Sequence, residues 1–421
     1  MENRKRRNIP DNEGMHESNL RQTGTTQASI DDSIPMPPAK KRKNKKTNKF
    51  LIAALAIFVV AILAVAGYAA SVFFLYEPPA GDVNDELPFV PSPNNGEGNN
   101  EQIDIEVQDK QYNFLIVARD KVSGLTDVMM IINYNITDQS LSVMQIPRDT
   151  YVEIDDYYYH KINGAYSYYQ SGRRGEENAH RLALRDVADF LEQNLCIKIH
   201  YTAYMNIDGF SDMVDAIGGV EMYVPQDMYY PDPEQGLSIN LKKGYQTLDG
   251  EKAEQFVRYR YGYANGDIGR GDAQKLFMTA FIKKLKSSIS ITDVAKVTEL
   301  AGIVYDCIET DLSLNDLVYF GKNFLGLTGG KAVDMENINM LTLPGGAFYY
   351  DLSYYSLNKE TTVDVINKYF NIYNFDISGS FDPDKVFLNE NSDKSQHMYN
   401  LPMAELETDI FNAGESENGD S

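Results

Sequence analysis

The chain has no tryptophan, only two cysteines and only five histidines in 421 residues. Two cysteines, Cys196 and Cys307, cannot staple a disulfide-dense secreted scaffold. They can form one pair at most, and two free thiols are the reading favoured here. The histidines are scattered, and no HExxH, P-loop lysine motif or CxxC pair occurs. Zincin, P-loop nucleotide and dithiol chemistries are thereby excluded. His160 beside Lys161 reads as a hydrogen-bonding side chain, because one histidine makes neither a metal site nor a triad. The Gly-Gly pairs at 218–219 and 329–330 read as helix stops and turns. Basic residues are also scarce, 39 against 61 acidic ones, for a net charge of −22. Such a surface repels nucleic acid. No internal repeat is visible.

The most localised absence is of charge. Phe50–Leu75 (FLIAALAIFVVAILAVAGYAASVFFL) carries none, and as a helix it is long enough to cross a hydrocarbon core of about 30 Å. In lipid a helix satisfies its own backbone polar groups. Residues 1–49 hold twelve Lys/Arg against six Asp/Glu, and KKRKNKK at Lys40–Lys46 abuts the run. The first charges beyond it are Glu77, Asp82, Asp85 and Glu86. Positive residues stay cytoplasmic. The expected topology is therefore single-pass type II in the cell membrane, with the N-terminus inside and the C-terminal domain extracellular. Ala69-Ala70-Ser71 would suit a signal peptidase, but the apolar run is too long and its preceding region too extended for a cleaved signal.

The expected layout has five parts. Residues 1–49 form a disordered basic tail, 50–76 a transmembrane signal-anchor helix, and 77–108, rich in Pro, Asn, Gly and acids, a linker. Residues 109–388 form the extracellular domain and 389–421 an acidic disordered tail. Within the domain, Phe114–Val117, Val128–Tyr134 and Leu141–Ile146 read as strands, the last two joined as a hairpin through Asn135–Gln139. Helices are expected near Asn163–Gln170 and Glu176–Leu195, then a strand at Lys198–Met205. Asp208–Ile217 reads as a helix with Asp208 as N-cap and Gly218-Gly219 as its stop. Val220–Val224 is a strand, and a long helix runs from about Gly271 to Lys286. Residues 289–388 carry apolar periodic segments, Leu312–Phe324 and Val363–Phe370, and are placed in the same domain without an assigned motif. The fold class is α/β: a central mixed sheet flanked by helices on both faces.

What remains for chemistry is a set of aspartates and arginines at strand ends and loops. Asp120 follows the first strand, Asp127 opens the second, and Ile146-Pro147-Arg148-Asp149 ends the third. Further on come Arg258-x-Arg260 and Asp267-Ile268-Gly269-Arg270. In an extended chain an R-x-R spacing puts both side chains on one face, and guanidinium groups bind phosphate oxygens in bidentate fashion. Two nearby carboxylates would hold a divalent cation, magnesium above all, because it takes carboxylates together with phosphate oxygens. On spacing alone, ordinary surface ion pairs are the favoured explanation of the arginines.

Several stretches in order resemble the LytR-CpsA-Psr family of Gram-positive envelope proteins. They are Asn113–Asp120 (NFLIVARD), Gly124–Met130 (GLTDVMM), Ile146–Thr150 (IPRDT) and Lys161–Tyr166 (KINGAY). Asp208-Gly-Phe210, Val214–Val220 (VDAIGGV), Gly244–Gly250 (GYQTLDG), Arg258-Tyr-Arg260 and Asp267-x-Gly-Arg270 continue the series, so that it covers about residues 112–288. The resemblance implies a phosphotransferase that moves a glycopolymer, such as teichoic acid or capsule, from a polyprenyl-diphosphate lipid to peptidoglycan. A wall sugar hydroxyl would attack the phosphorus next to the glycopolymer, giving a phosphodiester and polyprenyl monophosphate. By the same resemblance Asp120 and Asp127 would hold a magnesium ion, or manganese in its place. Arg148, Arg258, Arg260 and Arg270 would contact the diphosphate, with Gln274 close by, and the lipid tail would lie in an apolar groove between sheet and helices. Arg148 would also act in catalysis with both aspartates, and the general base would be Asp267 or Asp120. The sequence departs from the family at Ala118, where glycine is usual, and at Leu125 and Ala273, where arginines are common; Arg119, Lys121 or Lys161 are the candidates to compensate. Two alternatives share the site: a catalytically weak protein that binds polyprenyl phosphates or wall polymer, and a lipid-diphosphate hydrolase.

Overall fold

The structure, a computed structural model, describes residues 75–78, 106–108, 110–119, 124–232, 237–260, 262–263, 267–289, 294–327, 329–349, 351–381 and 401–402. These residues all fall in one compact unit, Ala61–Ser421. The expected membrane run lies outside them except for Leu75. Among the described residues no helix is long and apolar enough to cross a membrane.

Three antiparallel strands begin the domain: β1 (Gln111–Arg119), β2 (Thr126–Asn135) and β3 (Ser140–Gln145). β4 (Tyr201–Asn206) then pairs parallel to β1. β9 (Ile308–Thr310) lies antiparallel on β4, and β10 (Ile338–Thr342) lies parallel on β3. β13 (Leu401–Pro402), in the stretch expected to fray, adds a short antiparallel edge. The order is β13-β10-β3-β2-β1-β4-β9, so the mixed sheet expected from the sequence is present, and residues beyond 289 supply strands to it.

Period-two alternation explains why the sheet is covered twice. Leu115, Val117, Met129, Ile131 and Met144 face one way and join a core with helices α1 (Ile162–Gly172) and α2 (Ala179–Leu195). Tyr112, Met130, Tyr134 and Val143 face the other way, against Tyr319 and Phe320. These two belong to helix α7 (Leu314–Phe324), whose Ser313 and Asp316 form a reciprocal capping box. Each fully buried aliphatic side chain contributes roughly 1.5–3 kcal/mol over exposure. Within the sheet, Asn113 and Asn133 sit opposite each other, and Asn133 Nδ2 donates a 2.7 Å hydrogen bond to Asn113 Oδ1, so neither buried amide lacks a partner.

A second core gathers the remaining helices: α3 (Ile207–Ala216), α4 (Gly250–Arg258), α5 (Asp267–Ser288) and α6 (Val294–Cys307). Two ribbons close it, β5 (Val220–Val224) with β8 (Gly244–Leu248) and β6 (Met228–Asp232) with β7 (Leu237–Leu241). The N-cap of α3 is Asn206, whose side chain accepts from Gly209 N–H at 2.8 Å, rather than the expected Asp208, which lies in the first turn. Both residue types cap well; the end of β4 decides which one does. Gly209 is required there, because a Cβ would collide with the Cys307 carbonyl. The Gly218-Gly219 stop follows in left-handed conformation, at φ +80° and +79°. A hairpin, β11 (Gly345–Tyr349) with β12 (Ser353–Leu357), and helix α8 (Lys359–Tyr369) complete the domain. Cys196 and Cys307 are free thiols. Burial pushes the Cys196 thiol up to about 12, so it stays protonated.

Candidate functional site

A cavity of about 300 Å³ opens where the sheet face carrying Ile116, Ala118, Val128 and Met130 meets α3 and α5. Its inner wall is apolar: Met205, Phe210, Met213, Phe277, Met278 and Phe281. Asp127, Arg148, Arg258, Arg260, Arg270 and Gln274 also line it. Six residues named from the sequence thus meet in one place.

Each is brought there by its element. Asp127 depends on an irregularity in the β1–β2 ladder. Ala118 pairs with Val128, but Arg119 pairs with Thr126, so Asp127 is the extra residue of a bulge. Strict alternation would turn Asp127 away from the side that Val128 and Met130 occupy. The bulge lets Asp127 and Val128 both line the cavity, while Thr126 is buried and donates to the Asn163 carbonyl at 3.0 Å. Arg148 leaves the end of β3 through Pro147, and its Nη1 donates to Asp127 Oδ1 at 2.8 Å. Arg270 approaches the same oxygen at 3.5 Å from the first turn of α5, with its side chain only 7% exposed. Gln274 follows one turn later; it accepts from Gln145 Nε2 at 2.9 Å and donates to the Val257 carbonyl at 3.2 Å.

The Arg-Tyr-Arg pair reaches the cavity by a different route from the one the spacing suggests. Arg258 ends helix α4, held by Glu254 at 2.7 Å, and Tyr259 after it is extended, with φ −66° and ψ 132°. Tyr259 is buried, and the chain turns about it, so both arginines line the cavity without forming a strand. Asp120 lies outside the described residues. Asp267 begins α5, three residues before Arg270; its backbone is placed and its side chain is outside the description.

Among the described residues no group of three or more His, Cys, Asp or Glu is arranged to hold a metal. Two described carboxylates line the cavity: Asp127, whose Oδ1 faces two guanidinium groups, and Asp232. Magnesium needs only one or two protein carboxylates when phosphate oxygens complete its shell, so this donor set fits a cation brought in with a diphosphate. Sequence reasoning missed Asp232, Tyr230 and Leu237, which line the cavity from the β6–β7 ribbon. Nothing in a five-residue strand pattern marks such a contribution.

The pattern that defines the LytR_cpsA_psr family matches residues 91–371. The chain belongs to the LytR_cpsA_psr family. It is 27% identical over 331 residues to the polyisoprenyl-teichoic acid–peptidoglycan teichoic acid transferase TagU of Oceanobacillus iheyensis, covering 76% of this chain and 95% of that one. It is 28% identical over 272 residues to the regulatory protein MsrR of Staphylococcus aureus, covering 62% of this chain and 75% of MsrR. Among solved structures, that of B. subtilis TagV is 23% identical and covers 62% of this chain and 96% of its own, with a TM-score of 0.48.

The departures of this LytR_cpsA_psr chain now have locations. Ala118 and Leu125 line the cavity, whereas Ala273 is buried in the second core. Arg119 also lines the cavity, and its Nε is buried with no hydrogen-bond partner among the described residues. Lys161 is tied to Asp149 at 3.0 Å. Lys121 lies outside the described residues, and of the other two candidates Arg119 is the one that lines the cavity.

Proposed function

We propose that this LytR_cpsA_psr chain is a membrane-anchored phosphotransferase that attaches a glycopolymer from a polyprenyl-diphosphate lipid to peptidoglycan. The observation that carries the reading is the pairing of an apolar cavity with a mouth bearing Asp127, Arg148, Arg258, Arg260 and Arg270. One wall suits a prenyl chain and the other its diphosphate. TagU, named as a teichoic acid transferase, supports the same activity.

In this reading the arginines hold the diphosphate oxygens and neutralise the charge that spreads over the transferring phosphoryl group, which is where catalysis of such reactions resides. An acceptor hydroxyl forms the new phosphorus–oxygen bond as the bond to the bridging oxygen breaks. The departing polyprenyl phosphate takes the electron pair, and the hydroxyl proton passes to a carboxylate, Asp267 or Asp120. A magnesium or manganese ion held by Asp127 with Asp120 would add Lewis-acid polarisation of the phosphoryl oxygens. Phe50–Leu75 would anchor the domain outside the cell, within reach of a donor in the outer leaflet.

A second reading, a polyprenyl-phosphate-binding protein of low turnover, is favoured by apolar Leu125 at the cavity. The test incubates the full chain in detergent with a lipid-diphosphate-linked saccharide, magnesium and peptidoglycan oligomers. A covalent saccharide–peptidoglycan product is the expected result. Free saccharide phosphate would instead establish a hydrolase, and stoichiometric binding without turnover would establish the binding protein.

A further inference from the structure

Tyrosine takes over the aromatic roles in this chain, with 29 tyrosines and no tryptophan. Two tyrosine-rich runs, Tyr157–His160 and the β11–β12 hairpin, converge beside the cavity mouth. The segment 149–152 joins them: Tyr151 N–H donates to the Tyr355 carbonyl at 3.0 Å, Tyr355 N–H to the Asp149 carbonyl at 2.8 Å, and Val152 N–H to the His160 carbonyl at 3.0 Å. The His160 ring stacks on Tyr151 with centroids 5.2 Å apart and planes 7° apart. Tyr151 meets Tyr354 edge-on at 5.0 Å, and Tyr354 stacks on Phe348 at 5.6 Å. Tyr354 is buried beneath, Tyr151, His160 and Phe348 are half-exposed, and Tyr159 is 37% exposed.

The platform is continuous with the catalytic end of the cavity. Lys161 Nζ lies 5.5 Å from the centre of the Tyr354 ring and 3.0 Å from Asp149. Asp149 in turn lies 3.7 Å from Nε of Arg148, which lines the cavity. We propose that this platform binds the uncharged sugar backbone of the acceptor glycan and presents a ring hydroxyl to the Arg148 side of the cavity. The inference rests on the transferase reading for the word acceptor; the sugar site itself rests on the rings.

The chemistry selects the occupant. A pyranose offers a face of weakly positive C–H groups, which suits the negative face of an aromatic ring. Its hydroxyls and N-acetyl amides suit the tyrosine hydroxyls, the imidazole and Asp351, to which Tyr354 donates. A prenyl tail or an apolar helix would bury those polar tips without partners. Glu153, Asp155, Asp156 and Asp351 are all exposed around the rings. They repel a polyphosphate donor chain or an anionic lipid surface and leave an uncharged sugar unaffected.

The test uses the full chain in detergent, titrated with tetra-N-acetylchitotetraose and co-sedimented with polymer-stripped peptidoglycan sacculi. Combining Tyr159→Ala with Phe348→Ala is expected to weaken both kinds of binding roughly tenfold or more. Tyr159→Phe, which keeps the ring, stays within about twofold of the parent. Farnesyl diphosphate binding is unchanged in every variant, which shows that fold and cavity persist. Unchanged chitotetraose affinity in the double variant overturns the proposal, as does tighter binding of polyglycerol phosphate than of chitotetraose. If the sugar affinities behave as expected and no wall-linked product forms, the platform stands and the transferase reading falls. If product forms with an unaltered acceptor KM in the double variant, the reverse holds.

Discussion

At Asp127 two guanidinium groups converge on one carboxylate oxygen, at 2.8 Å from Arg148 and 3.5 Å from Arg270. All three groups are largely shielded from water, so screening is weaker than at the surface. Removing the carboxylate leaves two cations facing each other, and removing Arg258 and Arg260 would take two further cations from the proposed diphosphate site. Combining Arg258→Ala with Arg260→Ala should lower transfer by about 10²–10³-fold, measured as product per time at saturating acceptor. The melting temperature should change little, because Arg260 is exposed and the Arg258 pair with Glu254 lies one turn away on the same helix. For Asp127→Asn, calorimetric titration with magnesium in the presence of farnesyl diphosphate should show the metal heat lost. Retention of that heat would remove Asp127 from the proposed metal site. Away from the cavity, burial beside Lys198 and Arg185 holds His200 down to about 4 from 6.5. Its Nδ1 accepts the Asn113 N–H at 3.0 Å. The folded state therefore resists a proton that the unfolded chain takes up. The stability is whole above pH 6.5 and is lost as pH falls towards 4. Urea unfolding should show a loss of about 2 kcal/mol between about pH 7 and about pH 5, and His200→Asn should flatten the curve.

Two elements build the site. One is the bulge at Asp127. The other is helix α5, on which Arg270, Gln274, Phe277 and Phe281 all line the cavity at helical spacing. The stripe passes from cation to amide to aromatic rings as the cavity deepens. Strand alternation does the complementary work on β1: Ile116 and Ala118 face the cavity, while Leu115 and Val117 face the opposite core. Ala118 is the position where the family usually carries glycine, and its small side chain keeps the mouth open. Ala118→Leu should weaken binding of farnesyl diphosphate by about tenfold, because three added carbons enter the apolar passage. Binding of inorganic pyrophosphate should remain within about twofold, since the arginines are untouched. Equal losses for both ligands would place the prenyl chain elsewhere.

For the molecule as a whole, the described segment after Leu75 is packed onto the domain. The Tyr76 hydroxyl donates to Asp316 Oδ1 at 2.6 Å, and its ring meets Tyr319 edge-on at 6.4 Å. Its carbonyl accepts from the buried Lys322 at 3.2 Å, and Glu77 pairs with Lys110 at 3.3 Å. If Phe50–Leu75 spans the bilayer as proposed, the chain joins the domain within two residues of the membrane. Those contacts would then hold the domain at a set angle to the membrane. Tyr76→Phe removes one charge-assisted hydrogen bond, so the domain should lose about 1–2 kcal/mol and about 2–4 °C in melting temperature by calorimetry. Transfer from a donor in vesicles should fall more than transfer from a donor in detergent, because only the vesicle demands an orientation.

The sequence by itself determined the kinds of element and offered a set of aspartates and arginines for the site. Short apolar runs with turn residues between them made β1, β2 and β3 legible, helical periodicity made α2 and α5 legible, and the family resemblance made the ordered aspartates and arginines readable as phosphate chemistry. Those signals are local, since each depends on side-chain spacing within a dozen residues. Tertiary structure alone decided which face each group serves. The bulge that re-aims Asp127 exists only in the register of β1 against β2. Burial of Tyr259 between Arg258 and Arg260 depends on the second core, and Asp232 reaches the cavity through a ribbon some hundred residues away from Asp127. Burial, register and convergence are pairwise properties of distant segments, and a single chain's pattern carries no term for them.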